Sequence, residues 1–437
     1  MRRVIRPFIA VLAILASTVS ARADEVTDWN QTLLRSALVA GTSPVQMTRT
    51  VALVQAAVFD AVNGIDRRYT PIHVTPAAPD GASRRAAAVQ AAYVMIGKHY
   101  GTGGLFTTNQ QAVLDARRTV ALAVIGADES AASIASGLDW GQFVANEVWT
   151  WRLTDGFSLA PPSYAGESTI GIWRPTPNAP APGTSAFGNG YPQFVNMTPW
   201  VMSSAIQFLP GPPPALSSAQ YLADYNEVKA MGSLTSASRT ADQTIYSLFW
   251  NASTSSYLWS RAAVALIEAR SRDRQDKSSA NLQNELLENA RLMGQMAVAM
   301  ADASIGCYTA KYTYKLWRPI TAIRLDDGIS ATVQDPAWTP LFATPAHPDY
   351  PSNHACISGA AAGILANEFG DRIPFTIESD TMFGVTRSFR GVREALDEVK
   401  NARVFAGIHF RTATDVGEAL GTAVANYVLT NAFVPVN

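Results

Sequence analysis

The chain has 437 residues, of which 48% are hydrophobic and 16% charged, and its 34 basic and 35 acidic residues leave a formal net charge of −1. A chain of this length can bury a large core, either in one big helical domain or in two smaller ones. A net charge near zero provides no overall field for nucleic acid or an anionic membrane, so we expect neither as a partner.

The first 23 residues have the features of an export signal. Three arginines precede a short apolar run over residues 8–20, and Ala21-Arg22-Ala23 then supplies the small-x-small pattern that a signal peptidase requires. The apolar run is too short for a stable membrane anchor. We therefore predict that residues 1–23 are a cleaved signal peptide and that the mature protein, from about Asp24, is periplasmic or secreted.

Apolar residues recur at helical spacing along most of residues 24–437, whereas the alternation typical of strands is scarce. This pattern predicts an all-α fold, which we interpret as a single helical domain. In chain order, the predicted helices are Leu33–Val62, Ala86–Tyr100, Asn109–Ile125, Ala131–Leu153, Ala219–Met231, Ala241–Ile267, Asn281–Ala303, Ser358–Phe369, Val392–Phe405 and Thr414–Leu429. The best later candidate for a transmembrane helix, residues 355–366, is too short and too rich in small residues.

Residues 160–216 differ from the rest because they contain most of the clustered prolines together with several aromatic residues. Disordered linkers contain few aromatic residues. We therefore predict an ordered excursion that packs on the helices, near the entrance of a site.

The chain has two cysteines, Cys307 and Cys356. Export would allow them to form a disulfide, but the sequence does not give the distance between them. Two buried thiols are the expectation.

Three of the five histidines fall within residues 347–409, close to unusually spaced basic residues. The first such element contains Lys311 and Arg318, which is seven positions further along the chain. The two side chains would share one face if a single helix continued from one to the other. Pro319 predicts that this helix ends at Arg318 and leaves the guanidinium free to project. Two cations on one face can bind one anion, although a solvated basic face is the alternative.

The second element is His347-Pro-Asp-Tyr-Pro-Ser-Asn-His354, followed by a helix of small apolar residues. Ser352 and Asn353 are good N-cap residues, and the free N–H groups of a helix start suit an anion. The alternative is a capped core helix with an incidental histidine. His347 is expected at the pocket rim, with a surface histidine paired to Asp349 as the alternative.

The third element runs from Arg403 to His409. Six residues of continuous helix would place these two side chains on different faces, so we expect Gly407 to break the helix and return His409 toward Arg403. Thr412 or Thr414 would then cap the last helix. The alternative is an ordinary helix end with a C-terminal glycine.

Taken together and in this order, Lys-x6-Arg-Pro, Pro-Ser-x-His and Arg-x5-His resemble the signature of the superfamily of vanadium-dependent haloperoxidases and type 2 phosphatidic acid phosphatases. The stretches Leu53–Tyr69, Trp173–Asn178 and Tyr225–Trp250 also resemble bacterial secreted members. The resemblance implies a large helical-bundle fold with its oxyanion site in residues 300–420.

The resemblance also implies a role for each site residue. His409 would be the ligand of vanadium or the nucleophile toward phosphorus, and His354 would be the acid–base group on the opposite side. The oxyanion-binding residues would be Lys311, Arg318, Arg403, Ser352 and the Asn353 backbone N–H, and Lys311 would also take part in catalysis by polarising bound peroxide.

The sequence departs from the family pattern at three positions. Asn353 replaces the usual glycine, Ala402 replaces a serine, and Ala413 replaces the aspartate that usually follows the final histidine by four residues. What orients His409 is therefore open at this point, with Asp415 or a backbone carbonyl as the candidates.

The resemblance implies vanadate as cofactor and a haloperoxidase that uses hydrogen peroxide to oxidise halide, bromide or iodide rather than chloride, for transfer to a small organic acceptor. His347, seven residues before His354, would tune halide use. The same residues would also serve a secreted acid phosphatase that hydrolyses phosphomonoesters through a phosphohistidine at His409. A non-catalytic oxyanion-binding protein is the third hypothesis, and a homo-oligomer is compatible with all three.

Overall fold

The computed structural model describes residues 24–159, 164–177, 192–273 and 279–436, with the side chains of 273–283 excepted. Thirteen α-helices lie in these ranges: α1 (Glu25–Val39), α2 (Pro44–Asp66), α3 (Arg84–Tyr100), α4 (Gln111–Ile125), α5 (Ala131–Arg152), α6 (Ala219–Gly232), α7 (Ala241–Ala252), α8 (Ser255–Asp273), α9 (Ser279–Tyr314), α10 (Pro319–Arg324), α11 (Asn353–Phe369), α12 (Val392–Phe405) and α13 (Arg411–Asn431). The predicted all-α fold is confirmed. The signal-peptide prediction lies outside the described residues.

A short antiparallel hairpin is the exception to the helical architecture. Strand β1 (Phe375–Glu378) pairs with β2 (Thr386–Phe389), with Phe375 opposite Phe389. The two rings contact each other at 5.3 Å between centroids and are buried. The hairpin lies between α11 and α12 in the sequence and packs mainly on α8.

Two of the predicted helices are each divided in two. The helix expected over Leu33–Val62 breaks after α1, because Gly41 takes a left-handed backbone (φ +61°) and Pro44 then starts α2. The helix expected over Ala241–Ile267 breaks at Ser253, which is extended and follows α7. Both predictions missed the break because apolar residues continue at helical spacing on either side of it.

Helix α11 is central, since it packs between α9 and α13. The approach of α13 is close: a side chain at Gly421 would collide with the Cys356 carbonyl, and one at Gly417 would lie 2.8 Å from the Ser352 carbonyl. The small residues of α11 and α13 therefore allow the two backbones to approach directly beneath the start of α11. One hydrophobic core extends from α1 to the end of α13.

The described parts of the proline-rich segment, 164–177 and 192–216, pack on the helical core. The backbone N–H of Trp173 donates to the Lys315 carbonyl (2.7 Å). The buried Asp302 carboxylate accepts hydrogen bonds from the backbone N–H groups of residues 200–202. Trp173, Phe194 and Trp200 are all buried. Within the described residues, no helix is both long and apolar enough to cross a membrane.

Candidate functional site

Lys311 and Arg318 reach the same site, but not from one continuous helix as predicted. Helix α9 ends at Tyr314, and Lys315 turns the chain with a left-handed backbone (φ +52°). Arg318 is extended (ψ 155°), as expected for a residue that precedes proline, and Pro319 begins α10 instead of ending a helix. The sharp turn, rather than a shared helical face, brings the two cations together.

Lys311 is fully buried on the last turn of α9. Its ammonium donates to the carbonyls of Pro348 (2.9 Å) and Asp349 (2.8 Å). An ammonium has three protons, so one donor is left after these two bonds. Burial lowers the pKa of Lys311 to about 8.

Arg318 is also fully buried and holds the segment before α11 in place. Its Nε donates to the His347 carbonyl (2.8 Å), and its Nη1 donates to the Ile408 carbonyl (2.7 Å). The same Nη1 lies 3.1 Å from Nε2 of His409. One guanidinium therefore connects the second and third sequence elements.

The buried carboxylate of Asp349 faces His409. Nδ1 of His409 lies 2.9 Å from Oδ1 of Asp349, and Nη1 of Arg318 lies 3.6 Å from that oxygen. Among the described residues neither carboxylate oxygen accepts a well-aligned hydrogen bond, although the backbone N–H of Phe410 also faces the carboxylate. Burial raises the pKa of Asp349 to about 7, while the nearby Arg318 and Lys311 act in the opposite direction.

The carboxylate that faces His409 is that of Asp349 and not that of Asp415. The Asp415 carboxylate pairs with Lys400 (2.8 Å) on α12, and half of its side chain is exposed. Asp349 lies sixty residues before His409, so spacing along the sequence gave no signal for this contact. The only local hint is an aspartate flanked by two prolines within five residues of His354.

The start of α11 supplies donors without partners. Ser352 is the N-cap residue, as predicted, but its side chain makes no capping bond. Its buried hydroxyl has no hydrogen-bond partner, whereas its backbone N–H donates to the Ala413 carbonyl (2.8 Å). The Asn353 side chain accepts a hydrogen bond from Ser304 (3.2 Å). The Ser352 hydroxyl is therefore available to an anion at this helix start.

Arg403 and His409 lie on either side of a glycine turn. Helix α12 ends at Phe405, and Gly407 has φ +79°, which brings the chain back as predicted. The prediction that Thr412 or Thr414 caps α13 is wrong, since Phe410 is the N-cap residue.

Arg403 is buried, with few partners of its own. Its Nη1 donates to Asn251 (3.3 Å), its guanidinium lies 5.6 Å from the centre of the Phe342 ring, and its Nε has no partner. Burial, followed by the Arg318 charge, lowers the pKa of Arg403 to about 9. A buried cation in this situation favours a bound anion.

His354 faces a cavity of about 480 Å³ that Arg403 also lines. The side chain is partly exposed, and the backbone carbonyl of Trp250 accepts a hydrogen bond from its ring. Burial and the charges of Arg403, Arg318 and Lys311 hold the pKa of His354 well below its usual value. His354 is therefore neutral near pH 7 and can accept a proton.

His347 does not lie at the pocket rim as predicted, nor is it a surface histidine paired to Asp349. It is buried and is not among the residues that line the cavity. Its Nδ1 lies 3.0 Å from Nη2 of Arg318, and its ring lies 5.4 Å from that of Tyr308. The same Nδ1 lies 3.1 Å from the Pro348 carbonyl, so it either accepts a hydrogen bond from Arg318 or donates one to that carbonyl.

The charges of the site match a tetrahedral oxyanion. Lys311, Arg318 and Arg403 are three buried cations, and within the described residues Asp349 is the carboxylate in contact with the cluster. Burial lowers the pKa of Arg318 to about 10, as it lowers the other two. Two buried donors, the Ser352 hydroxyl and the Arg403 Nε, have no partner in the part of the chain that the structure describes. These residues fit vanadate or phosphate, which would supply the missing negative charge.

The same residues do not resemble a site for a bare divalent cation. No group of three or more His, Cys, Asp or Glu side chains with metal-binding geometry exists among the described residues. Both cysteines are free and buried, and the thiols of Cys307 and Cys356 contact each other near Lys311. Burial raises the pKa of Cys356, so this thiol is not ionised at neutral pH.

The last third of the chain matches a described protein family. Residues 291–436 match the family described as the second helical-bundle domain of vanadium chloroperoxidase (VCPO). An alignment 263 positions long, which covers 47% of this chain, gives 26% identity with the vanadium chloroperoxidase of Curvularia inaequalis. The match spans 42% of that relative's length, less than half of it.

Solved structures share the fold over nearly the whole chain. A bacterial vanadium-dependent iodoperoxidase superposes with a TM-score of 0.75 at 22% identity, covering 96% of this chain and 99% of that one. The holo form of a bacterial vanadium-dependent chloroperoxidase superposes with a TM-score of 0.66 at 14% identity, covering 89% and 93%.

Proposed function

We propose that this chain, a relative of the vanadium-dependent haloperoxidases, catalyses the vanadate-dependent oxidation of halide by hydrogen peroxide. The observation that carries the proposal is a cluster of three buried cations with two unpartnered donors, flanked by two histidines and open to a cavity on one side. His409, Lys311, Arg318, Arg403, Ser352 and the Asn353 N–H are proposed to hold vanadate, and His354 to act in catalysis.

The contact with Asp349 suits His409 for the role of ligand. A carboxylate facing Nδ1 favours the tautomer with the proton on Nδ1, in which the lone pair of Nε2 faces Nη1 of Arg318 at 3.1 Å, a contact that a bound oxyanion would replace. Burial and the charges of Arg318, Lys311 and Arg403 lower the pKa of His409 well below its usual value, so the imidazole is neutral at pH 7. A neutral imidazole with a fixed tautomer is what coordination requires.

The three cations would neutralise the oxyanion. Arginine guanidinium groups donate strong hydrogen bonds to oxyanions, and the position of Arg318 is fixed by carbonyl contacts before any ligand arrives. The third proton of Lys311 would polarise an oxygen of the bound peroxide. When bound, vanadate supplies a Lewis acid that activates peroxide without changing its own oxidation state.

His354 would be the base that takes a proton from hydrogen peroxide. Its ring donates to the Trp250 carbonyl, which leaves the other nitrogen as acceptor. The side chain faces the cavity through which peroxide and halide would enter. We propose bromide or iodide as the halide, with a small organic molecule as the final acceptor.

A phosphatase is the second candidate, because the tautomer with an unprotonated Nε2 also suits attack on phosphorus. The purified protein should therefore be incubated with orthovanadate and assayed for peroxide-dependent formation of triiodide from iodide and for bromination. Phosphate should suppress the activity by competing for the same cations. Hydrolysis of a phosphomonoester without halide oxidation would favour the phosphatase, and tight vanadate binding without either activity would favour a binding protein.

The proposed location is periplasmic or secreted, and it too can be tested directly. The Asp24 carboxylate caps α1 by accepting a hydrogen bond from the Thr27 N–H (2.9 Å) and also bonds Asn289 (2.6 Å). Cleavage after Ala23 would leave this cap intact. N-terminal sequencing of exported protein should begin at Asp24, and an uncleaved start would contradict the proposal.

A further inference from the structure

Helix α4 is apolar on two opposite sides, although only one of them packs on the rest of the protein. On the inner side Leu114 and Ile125 are buried in the core, and Nε of Arg118 donates to Gln90 of α3 (2.6 Å). A surface helix normally turns a single apolar stripe to the core, whereas a helix that is apolar all round is normally buried. The outer side of α4 therefore has the composition of a contact surface.

The outer side carries a regular apolar stripe. Its members are separated alternately by three and four residues, and all of them are exposed: Val113, Ala116, Val120, Ala123 and Ala127. The N–H groups of residues 127–129 bond to the carbonyls of residues 124 and 125, so the helical path continues through the last member. Val113 and Val120 are 59% and 64% exposed, and no described part of the chain covers them. A repeat that averages 3.5 residues is the one with which two helices pack along each other.

The residue types of this outer stripe favour a second helix over a membrane surface. Alanine at three of the five positions allows two helix axes to approach closely. Helices that lie in a membrane interface present large residues such as Trp, Phe or Leu beside a lysine-rich polar face. The outer stripe contains none of these large residues, and α4 contains no lysine.

The charges next to the outer stripe favour an antiparallel copy of α4 as the partner. Arg117 is exposed in the first half of the helix, whereas Asp128 and Glu129 follow its last turn, where Asp128 also lies 3.3 Å from Arg85. An antiparallel pair brings the basic half of each helix beside the acidic end of the other and opposes the two helix dipoles. A parallel pair would place like charges side by side. The face is therefore complementary to itself around a two-fold axis, as the interface of a symmetric dimer must be.

Repulsion between the two copies of Arg117 selects the register. If the axis crossed α4 near its middle, at residue 118, the two Arg117 positions would be only about 3 Å apart along the helices. An axis between residues 121 and 122 separates them by about 13.5 Å. The second register is therefore the favourable one.

We propose that the outer side of α4 is a homodimer interface, in which two copies of the helix pack antiparallel in this register. Val120 of each copy then contacts Ala123 of the other, and Ala116 contacts Ala127. The 15 residues of α4 extend over about 22 Å, so the contact area is below the roughly 1,200 Å² of a standard interface. We therefore expect a weak dimer, with a dissociation constant between about 10 μM and about 1 mM. The dimer does not depend on the proposed function.

The first test is sedimentation velocity of the purified protein from about 1 μM to about 1 mM, over which wild type should change from monomer to dimer. Val120→Glu places a charge at the centre of the outer stripe and should raise the dissociation constant at least tenfold, because the dimer would bury that charge. Val333→Glu is the matched control, since Val333 is 66% exposed and lies outside α4, and it should associate like wild type. Thermal melts should show that both variants are folded.

The second test is cross-linking, which reports the orientation and decides the matter even if Val120→Glu fails to fold. Ala116→Cys and Ala127→Cys are oxidised separately and as a mixture; the native cysteines are buried and do not compete. Disulfides need Cα atoms within about 7 Å, and identical positions are about 16.5 Å apart along the helices in this register, so only the mixture should cross-link.

Three results would overturn the inference. The first is a wild-type protein that stays monomeric up to about 1 mM. The second is equal association of the two glutamate variants, or cross-linking of either cysteine variant alone. The third is association only of protein that retains residues 1–23, which would assign the face to that segment instead of a second copy of α4.

Discussion

Oδ1 of Asp349 lies 2.9 Å from Nδ1 of His409, and both side chains are buried. The family's usual aspartate, four residues after the final histidine, is Ala413 in this chain. A carboxylate from a different segment thus occupies the position next to the proposed vanadium ligand, and it comes from the same turn whose carbonyls hold Lys311.

The first prediction concerns Asp349→Asn, which preserves shape but removes the negative charge. Because partners of a metal-binding histidine fix its orientation, we expect vanadate affinity or turnover to fall by about 10- to 100-fold. Asp415→Asn is the matched control and should have little effect, since Asp415 pairs with Lys400. Vanadate titrations and circular dichroism should be measured for both. Equal behaviour of the two variants would show that the Asp349 contact has no positioning role.

The second prediction concerns Ser352→Ala. The hydroxyl is buried without a partner, so its removal should leave the melting temperature unchanged or slightly higher. A hydrogen bond to a charged group contributes about 1.5–3 kcal/mol, so vanadate affinity should fall about tenfold or more. A thermal melt without ligand and a vanadate titration separate the two effects. A destabilised protein with normal affinity would mean that the hydroxyl has a structural role.

The sequence predicted those features of the site that depend on local chemistry. Gly407 makes the expected turn, and Ser352 starts the expected helix. The prediction that Lys311 and Arg318 share one helical face was wrong, because the helix ends three residues after Lys311. Periodicity shows which face of a helix is apolar, but it does not show where the backbone becomes left-handed. Lys315 has a left-handed backbone, and lysine is not a residue type that indicates this conformation.

Contacts between distant segments were beyond sequence reasoning. The Asp349–His409 pair and the cavity wall at Pro44 and Met47 exist only because α2 and α13 pack around α9 and α11. The misplacement of His347 has a related cause. An extended, proline-rich approach is typical of the surface, but here Arg318 draws the His347 carbonyl and ring into the interior.

The third prediction separates the two histidines. His409→Ala should abolish vanadate binding, because it removes the proposed ligand, whereas His354→Ala should leave binding measurable and remove halide oxidation. His354 is partly exposed toward the cavity, so its removal also disturbs packing less. Vanadate binding should be measured alongside triiodide formation. Equal loss of affinity in both variants would contradict these roles.

The fourth prediction is proton uptake on anion binding. Burial lowers the pKa of Lys311 to about 8, so at pH 8 the empty site has this amine about half protonated. A bound anion favours the charged form and raises the pKa, so sulfate binding at pH 8 should take up as much as about half a proton, and affinity should decline as pH rises through 8. Calorimetry in buffers of different ionisation enthalpy measures the uptake. Lys311→Arg should reduce it, because arginine stays charged; uptake unchanged by that substitution would assign the proton elsewhere.

The last prediction is that His347 tunes halide use, through Arg318 rather than by direct contact in the cavity. Replacing His347 by Phe removes the ring nitrogen that lies 3.0 Å from Nη2 of Arg318 but keeps the backbone carbonyl that accepts a hydrogen bond from Nε. The guanidinium then loses a polar neighbour at Nη2, which changes its interaction with the oxyanion. We expect the ratio of iodide to bromide oxidation rates to change severalfold. The rates should be measured with iodide, bromide and chloride across pH, together with a thermal melt. An unchanged ratio accompanied by a large drop in melting temperature would show that His347 serves only to hold Arg318 in the folded structure.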